Sequence, residues 1–196
     1  MKKVGLLGGS FDPPHKGHLF ISIEAKKILK LNEIWWLITP KNPHKIINPA
    51  SYEERLHNCR KIVKNYPIKI KEYEKKIQSS YSYMSIRYLN NKYKFINFFW
   101  LMGADNLIFF HKWQKWRKIF MEVPIVVFKR HGYNNKALNS ISKKTYENFR
   151  INSEITNLNK LDNPPSWIYL NNKEIIISST EIRNQRKLLR GKKLKN

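Results

Sequence analysis

The segment Gly8–His18, GGSFDPPHKGH, groups glycines, prolines and two histidines directly after the apolar run VGLL. Glycines that follow a strand let the backbone turn tightly or approach a ligand closely. His15 and His18 could both donate hydrogen bonds to a triphosphate, and Gly17 could open a helix whose N-terminus favours negative charge. The segment has neither the Walker nor the dinucleotide-binding glycine spacing, and the sequence offers no further ligands at a zinc spacing. We therefore predict a phosphate cradle, with a purely structural turn as the weaker alternative.

A second polar cluster, ISSTEIR, covers Ile177–Arg183. Ordinary N-cap chemistry before a helix accounts for Ser178. It does not account for Arg183, which returns about one helical turn later on the same side. Ser179, Thr180, the unpaired N–H groups of a helix start and Arg183 would together hold an anion. This cluster therefore predicts a second phosphate contact.

The segment Trp100–Trp116 indicates a strand followed by a helix rich in aromatic residues, most of which we expect in the core. Gly103 and Asp105 stand where this strand ends. Ligands of parallel α/β sheets bind beyond the carboxyl ends of the strands. An aspartate at that edge can accept hydrogen bonds from ribose hydroxyls. We therefore predict that Asp105 faces a nucleotide.

All three segments resemble motifs of the nucleotidylyltransferases, which transfer a nucleoside monophosphate from a nucleoside triphosphate. GGSFDPPHKGH resembles their GG(S/T)FDPxHxGH signature, and ISSTEIR resembles their ISSTxxR motif, which holds the β- and γ-phosphates. GADNLIFFHKW resembles a segment of the bacterial nicotinate mononucleotide adenylyltransferases, as do KNPHK at Lys41–Lys45 and FKRHG at Phe128–Gly132. The resemblance covers nearly the whole chain, although Tyr133–Ser166 has no strong motif.

The resemblance implies an enzyme that joins ATP and nicotinate mononucleotide to form deamido-NAD and pyrophosphate in NAD biosynthesis. The mononucleotide phosphate would attack the α-phosphate in line, without a covalent intermediate, so catalysis would rest on positioning and charge stabilisation. Mg²⁺ would bind mainly through the ATP phosphates, with no metal site in the protein itself. The catalytic residues would be His15, His18 and Arg183. The ATP site would comprise Gly8, Gly9, Ser10, Phe11, His15, His18, Gly103, Asp105, Ser179, Thr180 and Arg183, and the acceptor site Lys45, Ser82, Ser85 and Trp113, with the indole stacked on the pyridine ring.

One departure from the family pattern falls in the acceptor region. The family commonly reads Tyr-Thr-x-Asp-Thr-Leu where this chain has Tyr81–Ile86, so the hydroxyls persist at Ser82 and Ser85 while Met84 replaces the acid. A donor-lined site without an aspartate in this loop should prefer the acid mononucleotide to the amide. The nearest alternative is another adenylyltransferase of the superfamily, such as phosphopantetheine adenylyltransferase. The GADN…HKW segment and the chain length argue against this alternative.

Strand-like runs alternate with helical patterns along the chain, which predicts an α/β fold. We expect a Rossmann-like, doubly wound, mainly parallel sheet with helices on both faces, in a single domain over 1–196 with a variable excursion at about 133–166. The predicted strands are Lys2–Gly9, Glu33–Thr39, Ile68–Ile70, Phe95–Met102, Pro124–Phe128 and Glu174–Ile177. Helices are predicted at Gly17–Leu31, after Ser51, around Ser85–Leu89 and Asn106–Ile119, and at Ser178–Arg190. Capping boxes of Ser51 with Glu54 and of Ser178 with Glu181 mark the starts of two of them.

The composition indicates which partners and which location to expect for the protein. A net charge of +24 could indicate binding to nucleic acid or to an anionic membrane. The lysines, however, are spread along the chain, and the wealth of lysine, asparagine and isoleucine is typical of codon drift in an AT-rich genome. We therefore expect no specific nucleic acid, and a basic RNA-binding protein is the alternative from another class. No stretch approaches the roughly 20 apolar residues of a membrane span, so we expect no membrane partner. The single Cys59 fits a reducing cytosol, so we expect a cytoplasmic protein. Assembly as a homo-oligomer is possible.

Overall fold

Apolar runs and amphipathic stretches alternate along the chain, and in the computed structural model they form the strands and helices of an α/β fold. The structure describes residues 1–40, 50–152, 160–173 and 177–185. The strands are β1 (Lys2–Gly9), β2 (Glu33–Ile38), β3 (Ile68–Lys71), β4 (Ile96–Gly103), β5 (Ile125–Phe128), β6 (Arg150–Ile151) and β7 (Trp167–Leu170). The helices are α1 (Lys16–Ile28), α2 (Tyr52–Val63), α3 (Tyr73–Lys76), α4 (Ser82–Lys92), α5 (Ala104–Phe109), α6 (Trp116–Glu122), α7 (Asn134–Leu138) and α8 (Ile141–Thr145). Short 3-10 turns lie at Phe110–Lys112 and Glu147–Phe149, and residues 179–185 are helical as well.

The strands of the described chain pair in parallel, in the order β3-β2-β1-β4-β5-β7-β6. β1 lies inside the sheet, where Leu6 stands opposite Trp35 of β2 on one side and opposite Trp100 of β4 on the other. The chain winds outward from β1 in both directions, so a crevice forms between the loops that follow β1 and β4. The predicted doubly wound parallel sheet is therefore confirmed, and its carboxyl edge between β1 and β4 is the expected place for a ligand.

Side chains of the strands alternate between the two faces of the sheet and build a core on each face. Trp35 belongs to the core under α4, α5 and α6, whereas its neighbour Trp36 belongs to the core under α1 and α2. The indole N–H of Trp36 donates to Oγ of Ser22 on α1 at 2.8 Å, so this buried polar group is satisfied. Because both faces are covered, the strands read as continuous apolar runs in the sequence.

The structure differs from the sequence prediction in the helix after β4 and in two strands at one edge of the sheet. The helix predicted over Asn106–Ile119 is interrupted, because α5 ends at Phe109 and Lys115, with a φ of 54°, turns the chain before α6. β6 and β7 were not predicted: β6 has only two residues, whereas β7 is a run of four apolar residues bounded by prolines and asparagines that could have been recognised as a strand. Of the strand predicted at Glu174–Ile177, residues 174–176 lie outside the described residues, and Ile177 does not lie in a strand.

Of the two predicted capping boxes, the structure shows the hydrogen bond from the backbone N–H to the serine in each. Oγ of Ser51 accepts a hydrogen bond from the N–H of Glu54 at 3.1 Å at the start of α2, and Oγ of Ser178 does the same for Glu181 at 3.1 Å. The helix predicted at Ser178–Arg190 is described as far as residue 185. The excursion predicted at 133–166 holds α7, α8, a 3-10 turn and β6, which pairs with β7. In the described parts of the chain, no helix has the length and apolar character needed to cross a membrane.

Candidate active site

A cavity of about 660 Å³ opens at the carboxyl ends of β1 and β4. Its volume lies in the range of sites that hold a nucleotide-sized ligand. Its walls come from the turn after β1, from the first residues of α4 and α5, and from residues 177–180. Of the residues predicted for the site, the structure brings together here Gly8, Gly9, Ser10, Phe11, His15, His18, Ser82, Gly103, Asp105, Trp113, Ser179 and Thr180.

The turn after β1 is shaped by close packing against two tryptophans. A Cβ on Gly8 would lie 2.5 Å from Cη2 of Trp100, so glycine alone fits at this point without a shift of the indole. Phe11 has a φ of 48°, in the left-handed region that residues other than glycine rarely adopt. Its buried ring stacks on Trp36 with 4.6 Å between the ring centroids and lies 4.8 Å from the ring of His18. Phe11 therefore anchors the turn in the core beside the residues that line the cavity.

His15 and His18 begin α1 through a capping box. Nδ1 of His15 accepts a hydrogen bond from the N–H of Gly17 at 3.1 Å, and Nδ1 of His18 accepts one from the N–H of His15 at 3.2 Å. A ring nitrogen that accepts carries no proton, so the proton of each neutral ring lies on Nε2. The start of the helix thus sets the tautomer of both histidines and makes Nε2–H the donor of each ring.

The charge state of His15 is set by its surroundings. Burial, and to a smaller extent the positive charge of Arg130, lower the pKa of His15 from 6.5 to about 4, against smaller raising effects of Asp105 and Glu181. His15 is therefore neutral at neutral pH and meets an anion as a hydrogen-bond donor rather than as a cation. The rings of His15 and His18 lie 3.9 Å apart, close enough for both to contact one phosphate chain.

Asp105 and Arg130 form an ion pair at the cavity wall. Nη1 of Arg130 donates to Oδ2 of Asp105 at 2.6 Å, and Nη2 donates to the carbonyl of Ile177 at 3.4 Å. Oδ1 of Asp105 is buried and has no hydrogen-bond partner within the described residues. Because a buried acceptor without a partner is unfavourable, a donor such as a ribose hydroxyl would complete this site. Gly103 makes room for the carboxylate, since a Cβ there would lie 2.5 Å from Oδ1.

The second polar cluster, Ile177–Arg183, which was predicted to hold an anion, contacts the turn between β1 and α1. Oγ of Ser179 donates to the carbonyl of Pro13 at 3.0 Å. Arg183 donates to the carbonyl of Asp12 and, at 3.1 Å, to Oγ1 of Thr180. Ser179 and Thr180 line the cavity, whereas Arg183 stands directly behind Thr180 and is not part of the lining. The two predicted phosphate contacts therefore meet around one cavity, although they are far apart in the chain.

The predicted acceptor residues divide into two groups. Ser82, the first residue of α4, and the half-buried Trp113 line the cavity. Ser85 does not: it is fully buried further along α4, and its hydroxyl donates to Oε1 of Glu74 at 3.2 Å. Lys45 lies outside the described residues. The structure therefore places Ser82 and Trp113 in the cavity wall and gives Ser85 a different neighbour.

Glu74 is an acid buried behind the acceptor side, and no sequence motif pointed to it. Its side chain is 1% exposed, and it receives hydrogen bonds from Ser85 and from Thr39, which lines the cavity. Burial raises the pKa of Glu74 to about 7, against the lowering effect of these two hydrogen bonds. Its titration therefore falls in the neutral range.

The cavity also holds polar residues that the motifs did not predict, namely Thr39, Lys112, Lys129, Arg130 and Asn172. Lys129 and Arg130 directly follow β5, so the rule that ligands bind beyond the carboxyl ends of parallel strands could have found them. Asn172 follows β7 and accepts a hydrogen bond from the N–H of Lys129 at 2.8 Å. The same rule would have found Asn172 if the apolar run of β7 had been recognised as a strand.

The parallel sheet and the cavity at the carboxyl ends of β1 and β4 are typical of a nucleotide-binding α/β protein. Residues 6–185 match the cytidylyltransferase-like family. The "Probable nicotinate-nucleotide adenylyltransferase" of Ruegeria sp. (strain TM1040) is 41% identical over 182 residues, which cover 93% of this chain and 96% of the relative. The protein of the same name from Pelagibacter ubique (strain HTCC1062) is 44% identical over 182 residues, 92% of each chain. The chain therefore belongs to the cytidylyltransferase-like family, in the branch of the nicotinate-nucleotide adenylyltransferases.

Solved structures share the fold. The nicotinic acid mononucleotide adenylyltransferase of Plasmodium falciparum, complexed with APC, superposes with a TM-score of 0.67, and the same protein complexed with NaAD superposes with a TM-score of 0.68. Each comparison covers 94% of this chain and 83% of the other, at 19% identity. The architecture is therefore kept where most of the sequence has changed.

Proposed function

We propose that this chain transfers the adenylyl group of ATP to nicotinate mononucleotide, forming deamido-NAD and releasing pyrophosphate. The observation that supports this most directly is the meeting of three separate segments in one cavity. The turn after β1 and residues 179–180 supply donors for phosphates, and Asp105 supplies an acceptor for a ribose. Trp113 adds an aromatic surface for a ring. Relatives at 41% and 44% identity carry the name of this activity.

In the proposed mechanism, a phosphate oxygen of the mononucleotide attacks the α-phosphorus of ATP in line. The bond between the α-phosphorus and the bridging oxygen breaks as the new bond forms, and pyrophosphate leaves with the electron pair. His15 and His18 donate from Nε2 to the triphosphate, and His18 stabilises the charge that develops on the α-phosphoryl oxygens. Because the capping box already holds both rings through Nδ1, these donors need no reorganisation during the reaction.

The leaving pyrophosphate is assigned to the cluster near the C-terminus. Ser179 and Thr180 line the cavity at the start of the helical residues 179–185, where N–H groups without intrahelical partners favour an anion. Arg183 donates to Oγ1 of Thr180 at 3.1 Å, so its guanidinium lies directly behind a residue of the cavity wall where the phosphates would bind. A charged phosphate oxygen is a stronger acceptor than a hydroxyl or a carbonyl, so Arg183 exchanges one of its present partners for pyrophosphate.

The acceptor is assigned to the other side of the cavity. Trp113 stacks on the pyridine ring, and Ser82 donates to the carboxylate of the nicotinate. Lys45, outside the described residues, is proposed for the acceptor phosphate. The part that Ser85 plays is indirect, because its hydroxyl donates to Glu74 instead of the cavity.

Magnesium is proposed as the metal ion, held by the phosphate oxygens of ATP. Among the described residues that line the cavity, Asp105 is the one carboxylate, and Arg130 already occupies one of its oxygens. Mg²⁺ commonly keeps few protein ligands when a nucleotide supplies phosphate oxygens, and this wall fits that arrangement. When bound, the ion would neutralise charge on the phosphates. In the described stretches, no three His, Cys, Asp or Glu side chains are grouped to hold a metal.

Pyrophosphate release from ATP tests the proposal when three acceptors are compared. They are nicotinate mononucleotide, its amide analogue and phosphopantetheine. We expect turnover with the acid mononucleotide and a specificity constant at least about tenfold above that of the amide, because a charge-assisted hydrogen bond is lost with the amide. Equal values, or a preference for the amide, would contradict the acceptor assignment, and turnover with phosphopantetheine alone would move the chain to another branch of the family.

The phosphate cradle is tested by His18→Ala. Loss of one donor to the transition state should lower kcat by about 100-fold or more. His57→Ala is the matched control, because His57 is an exposed histidine on α2 that does not line the cavity. Circular dichroism of both variants should show that the fold survives. Normal turnover by His18→Ala would mean that the cradle is assigned to the wrong residues.

A further inference from the structure

Arg55, on α2, is a buried cation that does not line the cavity. Its side chain is 1% exposed. Its guanidinium donates to the backbone carbonyl oxygens of Ser10 at 2.7 Å, Thr39 at 2.8 Å, Pro40 at 2.8 Å and Ala50 at 3.0 Å. These carbonyls belong to the loops that follow β1 and β2 and to the residues that precede α2. One side chain therefore joins three pieces of backbone at the ligand edge of the sheet.

A guanidinium suits this place because of its shape and its permanent charge. Its planar fork holds five N–H donors in fixed directions and stays protonated, although burial lowers the pKa of Arg55. Burial of a cation is unfavourable unless its donors are hydrogen-bonded. An apolar side chain could fill the same volume, but it would give these four carbonyl oxygens no donor. The effect of Arg55 is therefore to fix backbone groups relative to one another.

The carbonyl of Ser10 connects Arg55 to the reacting groups. Ser10 lies between Gly9, which lines the cavity, and Phe11, whose φ of 48° needs restraint from its surroundings. The ring of Phe11 lies 4.8 Å from the ring of His18. A shift of the Ser10 carbonyl would therefore move Phe11 and, through it, the imidazole of His18.

We propose that Arg55 is a positioning residue of the adenylyl transfer: by holding the Ser10 carbonyl, it places the ring of Phe11 and with it Nε2 of His18 against the α-phosphoryl group. The assignment rests on the proposed function for its reaction, but the geometry from Arg55 to His18 stands without it. Arg55 does not line the cavity, so its removal acts on the reaction through the backbone that it holds.

The experiment compares Arg55→Lys and Arg55→Ala with two controls on α2. Val63→Ala removes buried methyl groups without touching these carbonyls, and Arg60→Ala removes an exposed arginine that pairs with Glu72 at 3.0 Å. We expect Arg55→Lys to lower kcat about 100-fold, because a small misplacement of a catalytic group has an effect of that order. The KM for nicotinate mononucleotide should change by a smaller factor than kcat. Both controls should keep the kcat of the wild type below their melting temperatures.

Two further measurements separate positioning from loss of stability. Guanidinium ion at millimolar concentration should restore part of the kcat of Arg55→Ala and leave Arg60→Ala unchanged. The imidazole ¹⁵N resonances of His18 should move in Arg55→Lys and stay in place in Val63→Ala, a result that needs no turnover. If the wild type does not use the mononucleotide, the proposed function fails, and the imidazole resonances still decide the role of Arg55. Unchanged His18 resonances in Arg55→Lys, or a kcat equal to that of Val63→Ala, would overturn the inference.

Discussion

Replacement of Glu74 by glutamine should change the pH dependence of stability, and the burial of this acid determines how much. The side chain is 1% exposed, and its pKa is raised from 4.5 to about 7. A tenfold change in proton affinity corresponds to about 1.4 kcal/mol, so the ionised carboxylate lowers the free energy of unfolding by about 3 kcal/mol. Glutamine keeps the shape and an acceptor for Ser85 but has no proton to release.

The direction follows from the two ionisation states. Below its ordinary pKa of 4.5 the carboxyl is protonated in the folded and the unfolded chain, and the stability that it contributes is complete. As the pH rises, the unfolded chain releases the proton first, and this contribution is lost as the pH passes through the folded pKa of about 7. Relative to the wild type, Glu74→Gln should therefore gain about 3 kcal/mol between about pH 5 and about pH 8.

Urea unfolding of both proteins across this pH range measures the effect. The difference between their free energies of unfolding isolates Glu74, because the other groups titrate in both proteins. Ser85→Ala is the companion variant: it removes a hydrogen bond that lowers the pKa of Glu74, so the transition should move to higher pH. Parallel stability curves for the wild type and Glu74→Gln would refute the reasoning.

Arg130→Ala should raise the pKa of His15 from about 4, because the positive charge of Arg130 lowers it in addition to burial. An NMR titration of the His15 imidazole measures this, and an unchanged value would mean that burial alone sets the pKa. Trp113→Ala should raise the KM for the acid and amide mononucleotides by similar factors, because stacking does not distinguish them. Ser82→Ala should raise the KM for the acid form more, since it removes a donor to the carboxylate. Steady-state kinetics with both acceptors separates these cases, and equal effects of Ser82→Ala would remove Ser82 from the carboxylate site.

The sequence predicted well those parts of the site that are local in the chain. The turn from β1 into α1 lies within Gly8–His18, where glycines, prolines and a helix start act on their immediate neighbours. The cap at Ser178 is local in the same sense. Strands buried on both faces are continuous apolar runs, so β1, β2, β4 and β5 could be recognised from composition and length.

The parts that could not be predicted depend on contacts between distant segments. Arg130 meets Asp105 across 25 residues of chain because β4 and β5 are neighbours in the sheet. The hydroxyl of Ser85 suggested a ligand contact, but the placement of α4 turns it to Glu74, which lies 11 residues earlier. The four carbonyls on Arg55 belong to two loops, the one after β1 and the one between β2 and α2, which come together because β1 and β2 are neighbours in the sheet. Spacing in the sequence contains none of these relations.

The histidine capping box has a consequence for how this protein can evolve. Serine, threonine, aspartate and asparagine are preferred residues at the start of a helix, so any of them at position 15 would keep α1 while removing the imidazole donor. Helix formation therefore does not by itself require histidine at position 15, and under the proposed function it is the hydrogen bond to the triphosphate that requires it. Under the proposed function, a single codon change there would remove a phosphate contact and leave the start of α1 in place.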